Sequence, residues 1–135
     1  MKMPEVIENS MIAPCGMNCM VCYVHLKDKK PCLGCLAGDL NKPAHCRACK
    51  IKACAAEKEV PYCFECSAFP CGVIKRLDQS YVTRYQVSLI QNGLAIKTRG
   101  TAAFLETAKE EWTCPQCGGI FSLHDKECSD CKVKK

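Results

Sequence analysis

A small, mainly α-helical fold stabilised by bound metal, with irregular zinc knuckles and a C-terminal zinc ribbon carrying a short β-hairpin, is predicted by three features. Fifteen of the 135 residues are cysteine, and twelve of them form Cys-x-x-Cys pairs. Aromatic residues make up only 7%, so the conventional apolar core is thin. A cysteine-free middle stretch has helical periodicity. Two thiols three positions apart can direct both sulfurs at one centre about 2.3 Å away, and small domains use such ligation to make up for a modest core.

The pairs are Cys19/Cys22, Cys32/Cys35, Cys46/Cys49, Cys63/Cys66, Cys114/Cys117 and Cys128/Cys131, with Cys15, Cys54 and Cys71 outside them. Disulfides are the rival reading. An odd cysteine count, the absence of an apolar signal in MKMPEVIENS and the tightness of the pairs argue against them. No apolar run reaches the length of a membrane span, so the sequence predicts a soluble, cytoplasmic protein without a membrane partner. The formal charge of +5 invites a nucleic-acid reading, but it counts every thiol as neutral. Metal-bound cysteines are thiolates. Four divalent ions on fifteen thiolates would take +5 to −2, and three ions on twelve would give −1. Charge therefore gives no case for nucleic acid.

Three segments follow in order. Residues 12–75 read as a cysteine-rich multi-zinc region, 76–112 as a helical segment packing on it, and 113–135 as a zinc ribbon. In the first, a helix over 18–28 would place Cys19, Cys22, Tyr23 and Leu26 on one face. A second, Lys50 to Glu59, would present Cys54 about a turn beyond Cys49 and end before Pro61. Cys32/Cys35 and Cys63/Cys66 are expected to act as ligand pairs, with Cys54 and Cys71 as lone ligands on helices. Eleven cysteines from Cys15 to Cys71 exceed two four-ligand sites by three and fall one short of three sites. His25 or His45 could complete a third, and the spacing leaves the pairing open.

The middle reads as three helices: a short one at 72–77, a second from Tyr81 to Gln91 capped by Ser80 and stopped at Asn92-Gly93, and a third from Ala102 to Glu111 capped by Thr101. Leu105, Ala108 and Trp112 would face inward. The C-terminal pattern Cys114-x2-Cys117-x10-Cys128-x2-Cys131 fits a ribbon in which Gly118 and Gly119 turn the backbone toward the sulfurs. A hairpin over 119–127 would supply Ile120, Phe121 and Leu123 as cover. Four thiolates close the tetrahedron, which leaves His124 as a surface histidine and the Lys132, Lys134 and Lys135 tail in solvent.

Iron is the rival metal. Cys15-x3-Cys19-x2-Cys22 is also the spacing of radical S-adenosylmethionine enzymes, but those need a much larger barrel than 135 residues supply. A ferredoxin-like carrier lacks its Cys-x2-Cys-x2-Cys-x3-Cys-Pro run here, since Pro70 precedes Cys71.

The motifs Cys15-Gly16-x2-Cys19-x2-Cys22, Cys32-x-Gly34-Cys35, Cys49-x4-Cys54, Cys63-x-Glu65-Cys66 and Phe69-Pro70-Cys71 resemble a prokaryotic cysteine-rich family, domain of unknown function thirty-seven ninety-five. The Trp112 to Cys131 ending is similar to the ribbon of its longer members. The resemblance spans about residues 12–131 and implies a presumed zinc-binding protein without an established activity; Cys46 fits its pattern less closely. Three or four zinc ions, with an Fe–S cluster as the alternative, are the expected cofactors. A binding or interaction module is the expected role, with a protein partner favoured over nucleic acid. No His-Glu-x-x-His pair, phosphate loop or nucleophile elbow argues for an enzyme. A three-cysteine site would still leave a position open for metal catalysis.

Overall fold

The computed structural model describes residues 2–27, 29–36, 41–47 and 49–135, without the side chains of His45 and Arg47. Helix dominates, and a two-stranded antiparallel hairpin lies near the C-terminus. In chain order come a 3-10 turn at Asn9–Met11, a second at Cys19–Val21, helices α1 (Tyr23–Leu26), α2 (Ala44–Arg47) and α3 (Lys50–Glu57), and a third 3-10 turn at Cys63–Glu65. Helices α4 (Gly72–Tyr85), α5 (Leu89–Arg99) and α6 (Thr101–Trp112) follow, then strands β1 (Phe121–Ser122) and β2 (Glu127–Cys128).

The helix expected over 18–28 is split. Asn18 Oδ1 accepts the Met20 amide at 3.0 Å and starts a 3-10 turn, after which Cys22 is extended before α1 begins. Cys19 and Leu26 are consequently buried while Tyr23 is exposed, so they do not share a face. Helix α3 ends at Glu57, because Glu59 adopts a left-handed φ of 58°.

The middle helices also differ from expectation. No break occurs at Ser80: α4 runs through it to Gln86, whose left-handed conformation (φ 58°) ends the helix. The cap of α5 is Ser88, whose hydroxyl accepts the Gln91 amide at 3.1 Å and donates to Asp78 Oδ1 at 2.7 Å. The same carboxylate oxygen accepts the Ile90 amide at 3.0 Å, so a residue of α4 fixes where α5 starts. Asn92 and Gly93 lie inside α5 and do not stop it. A Cβ on Gly93 would sit 2.8 Å from Phe64 Cβ, and the Asn92 amide donates to Gly16 O at 3.2 Å. Close approach between elements explains this mid-helix glycine better than turn preference does. Gly100, at φ 89°, separates α5 from α6 and is the residue before the Thr101 start.

The main core joins all three sequence segments. Ile12, Val21, Phe64, Leu89, Ile96, Leu105, Ile120 and Leu123 form one buried cluster, with Leu105 and Ala108 facing inward as the spacing predicts. A second, smaller cluster contains Cys114, Phe121 and Cys128, and Trp112 packs against both. The hairpin is tied to the rest by Leu123 N–H to Val21 O at 3.0 Å and by Met3 N–H to Gly118 O at 3.0 Å. Among the described residues, no helix is long and apolar enough to cross a membrane.

Candidate metal centres

The C-terminal site is built by local geometry. Cys114 lies two residues beyond the end of α6, Thr113 bridges to Ile120, and the two-residue strands pair Phe121 with Cys128. Gly118 takes φ 75°, which swings the chain round beneath Cys117. At Gly119 a Cβ would lie 2.9 Å from Cys128 Sγ and 3.1 Å from Cys117 Sγ, so the absence of a side chain makes room for the sulfurs. The four sulfurs of Cys114, Cys117, Cys128 and Cys131 all lie within 4.8 Å of one another. Cys114 and Cys131 are 3.7 Å apart, and Cys117 and Cys128 are 3.5 Å apart. A tetrahedron with bonds of about 2.3 Å has edges of about 3.8 Å, so the set fits one four-coordinate ion. Amides point at the sulfurs: Gly119 N–H reaches Cys117 at 3.3 Å and Asp130 N–H reaches Cys128 at 3.4 Å. The Gly119 amide holds the Cys117 thiol pKa below its ordinary value. Such second contacts orient metal-bound thiolates.

His124 is not the surface histidine expected of a hairpin. Its ring packs against Tyr23 and Tyr85, each at 4.9 Å between centroids, and against Tyr81 at 5.7 Å. Its Nε2 lies 3.1 Å from the Tyr81 hydroxyl, and burial lowers its pKa. The residue docks the ribbon onto α1 and α4. Nor is the tail wholly solvated: Lys134 pairs with Glu127 at 2.9 Å, and Lys135 Nζ lies 4.9 Å from the Trp112 ring centroid.

A second grouping gathers Cys54 from α3, Cys63 and Cys66 from the third 3-10 turn, and Cys71 from the start of α4. Burial and then the nearby charges of Cys71, Cys54 and Cys66 push the Cys63 thiol up to about 11. Cys71 is held below its ordinary value, chiefly by the Ile74 amide in the first turn of α4. Phe64, 2% exposed, anchors the knuckle in the main core.

Six of the seven remaining thiols surround a space. Cys15, Cys19, Cys22, Cys35, Cys46 and Cys49 line one cavity of 230 Å³, together with Lys42, Lys52, Tyr81 and His124. Within it Cys35 N–H donates to Cys19 Sγ at 3.4 Å. The neighbouring Cys19 thiol, offset in part by burial and reinforced by the Lys42 and Lys52 charges, brings the Cys35 pKa down to about 7. Its counterpart Cys19 is raised by the Cys35 thiol and by burial. Burial also raises Cys15 and takes Cys22 to about 11. Cys32 is buried and accepts the Gly34 amide at 3.4 Å, but it does not line the cavity. His25 Nδ1 lies 2.6 Å from Cys32 O, and the His45 side chain lies outside the described residues. Sequence reasoning missed Lys42, Lys52 and Tyr81 as cavity residues. The only available signal was a lysine between two cysteine pairs, which a surface lysine would give equally well.

Among the described residues, the ribbon cysteines are the one set of three or more candidate ligands whose donor atoms lie this close together. Residues 11–76 match the family described as Protein of unknown function (DUF3795), whose match holds every cysteine outside the ribbon. Comparison with curated proteins and with solved structures returned no match.

Proposed function

We propose that this chain, with the DUF3795 family match in residues 11–76, is a zinc-binding interaction module of the cytoplasm whose metals hold the fold and leave its surface to recognise a protein partner. The observation that carries the reading is the ribbon's four sulfurs, mutually within 4.8 Å. An ion there has its full coordination from protein, so no position is open for substrate, and its role is structural. Zinc suits four thiolates in that geometry and needs no redox partner. A reducing compartment keeps the thiols available as ligands. The near-neutral charge of a metal-loaded chain favours protein over nucleic acid, as do Leu33 (58% exposed) and Leu36 (45% exposed) flanking Cys35.

Elemental analysis of the untagged chain tests the metal: colourless protein containing zinc is the expected result, and iron with visible absorbance would overturn it. Titration with mixed oligonucleotides at low salt tests the partner class. The expected outcome is no binding; tight, strongly salt-dependent binding would transfer the reading to nucleic acid.

A further inference from the structure

Six thiols around one cavity are too many for a single four-coordinate ion. In the ribbon four sulfurs close on a point, with pairs 3.5 and 3.7 Å apart, as one ion would take them. The N-terminal thiols instead line 230 Å³. Two four-coordinate ions need eight ligand positions, and six thiolates supply eight when two of them are shared. We propose that Cys15, Cys19, Cys22, Cys35, Cys46 and Cys49 hold two zinc ions joined by two bridging thiolates in this cavity. The inference rests on the zinc reading above and deepens it.

Three further observations support the assignment. The Cys35 amide donates to Cys19 Sγ at 3.4 Å, which holds these two residues side by side, as neighbouring ligands of one ion would be. Six thiolates and two dications leave a net charge of 2−, and the same cavity is lined by two lysines. One of them, Lys42, is only 6% exposed and donates to Cys35 O at 3.3 Å, which sets its charge beside the thiols. The cysteine total is also resolved. Four thiols go to the ribbon, four to the group of Cys54, Cys63, Cys66 and Cys71, and six to the cavity, which leaves Cys32 as the odd one. Neither histidine is then required as a ligand. Loading is an acid–base and coordination step without oxidation: two aqueous zinc ions enter, six thiols lose six protons to solvent, and six thiolates bind.

Cadmium-113 NMR of the full chain, loaded with that isotope in place of zinc, reads the arrangement directly. Four resonances are expected, two of them split by each other through the shared sulfurs and two unsplit. Cys22→Ser should abolish the mutual splitting, Cys131→Ser should displace one unsplit signal only, and Cys32→Ser should leave all four. Wild-type protein with cadmium bound but no mutually split pair would overturn the dinuclear site while leaving the zinc reading intact. Iron with acid-labile sulfide in the cavity would overturn it as well. Failure of the chain to bind any divalent ion would remove both readings.

Discussion

The ribbon and the N-terminal cysteine region use the same residue in opposite ways. In the ribbon, four thiols contributed by 18 consecutive residues converge on a point, and the apolar support consists of Cys114, Phe121 and Cys128 with Trp112, Cys117 and Val133 alongside. In the N-terminal region the thiols come from knuckles and helix ends spread over 57 residues, and their scaffold is the main core. The ribbon therefore has four converging thiols that could hold a metal ion and little else to hold it together. The N-terminal region has a packed frame that positions thiols around spaces large enough to receive metal. The lesson is that cysteine spacing specifies a site only where the connecting chain is short; elsewhere Phe64, Leu89 and Gly93 do the positioning.

Metal removal should break this comparison most visibly. Verified extraction of the bound metal is expected to cost the ribbon on the order of 10 kcal/mol, more than its small apolar cluster can replace. Circular dichroism and amide exchange should show residues 113–135 unfolded while the α4–α6 helices keep part of their signal. Unchanged spectra after extraction would refute a metal-dependent ribbon.

Gly93→Ala probes the other side. With a Cβ forced to 2.8 Å from Phe64 Cβ, the main core should lose about 2–3 kcal/mol. The denaturant midpoint should fall, yet metal bound per chain under native conditions should not change for the ribbon. A ribbon that lost its ion in this variant would show that the two regions are not separable.

His124→Ala should uncouple them by a smaller amount, about 1–2 kcal/mol, because it removes ring contacts to Tyr23, Tyr81 and Tyr85. Exchange at residues 119–127 should rise with the ribbon's metal retained. His124→Phe, which keeps the ring, should recover most of the loss. The pH dependence has a definite sign. Burial depresses the folded pKa of His124, so the unfolded chain binds more protons once pH falls below about 6.5, and stability declines from there down to the folded pKa. Asp125 opposes that shift. Thiolate protonation also acts at low pH, so the histidine contribution is the difference in pH slope between wild type and His124→Phe. Identical slopes would contradict the assignment. The smallest effect belongs to Ser88→Ala, which should cost about 1 kcal/mol through the lost cap and raise amide exchange at Gln91.

The parts legible in the sequence were those decided locally. Cys114, Cys117, Cys128 and Cys131 come together as their spacing predicts, and the 119–127 hairpin forms between them. Leu105 and Ala108 turn inward as the helical period predicts. Ser80 was misread because its serine matches a cap signal, whereas the real boundary depends on Gln86 taking a left-handed conformation and on Asp78 reaching across to Ser88 and Ile90. His124 looked solvated because the tyrosines that enclose it are 39 to 101 residues away in sequence. The N-terminal cavity was illegible for the same reason: no interval between cysteines records which wall of a space each will line.

The helical Asn92-Gly93 step has a chemical corollary. Asparagine followed by glycine is the pair most prone to cyclise, the following amide nitrogen attacking the side-chain carbonyl to give a succinimide and then aspartate or isoaspartate. Helical geometry holds the Gly93 nitrogen away from that carbonyl, and the Asn92 amide is tethered to Gly16 O. The same packing that made this dipeptide a poor helix stop should keep it chemically intact as the protein ages, and isoaspartate at position 92 would report that α5 had opened.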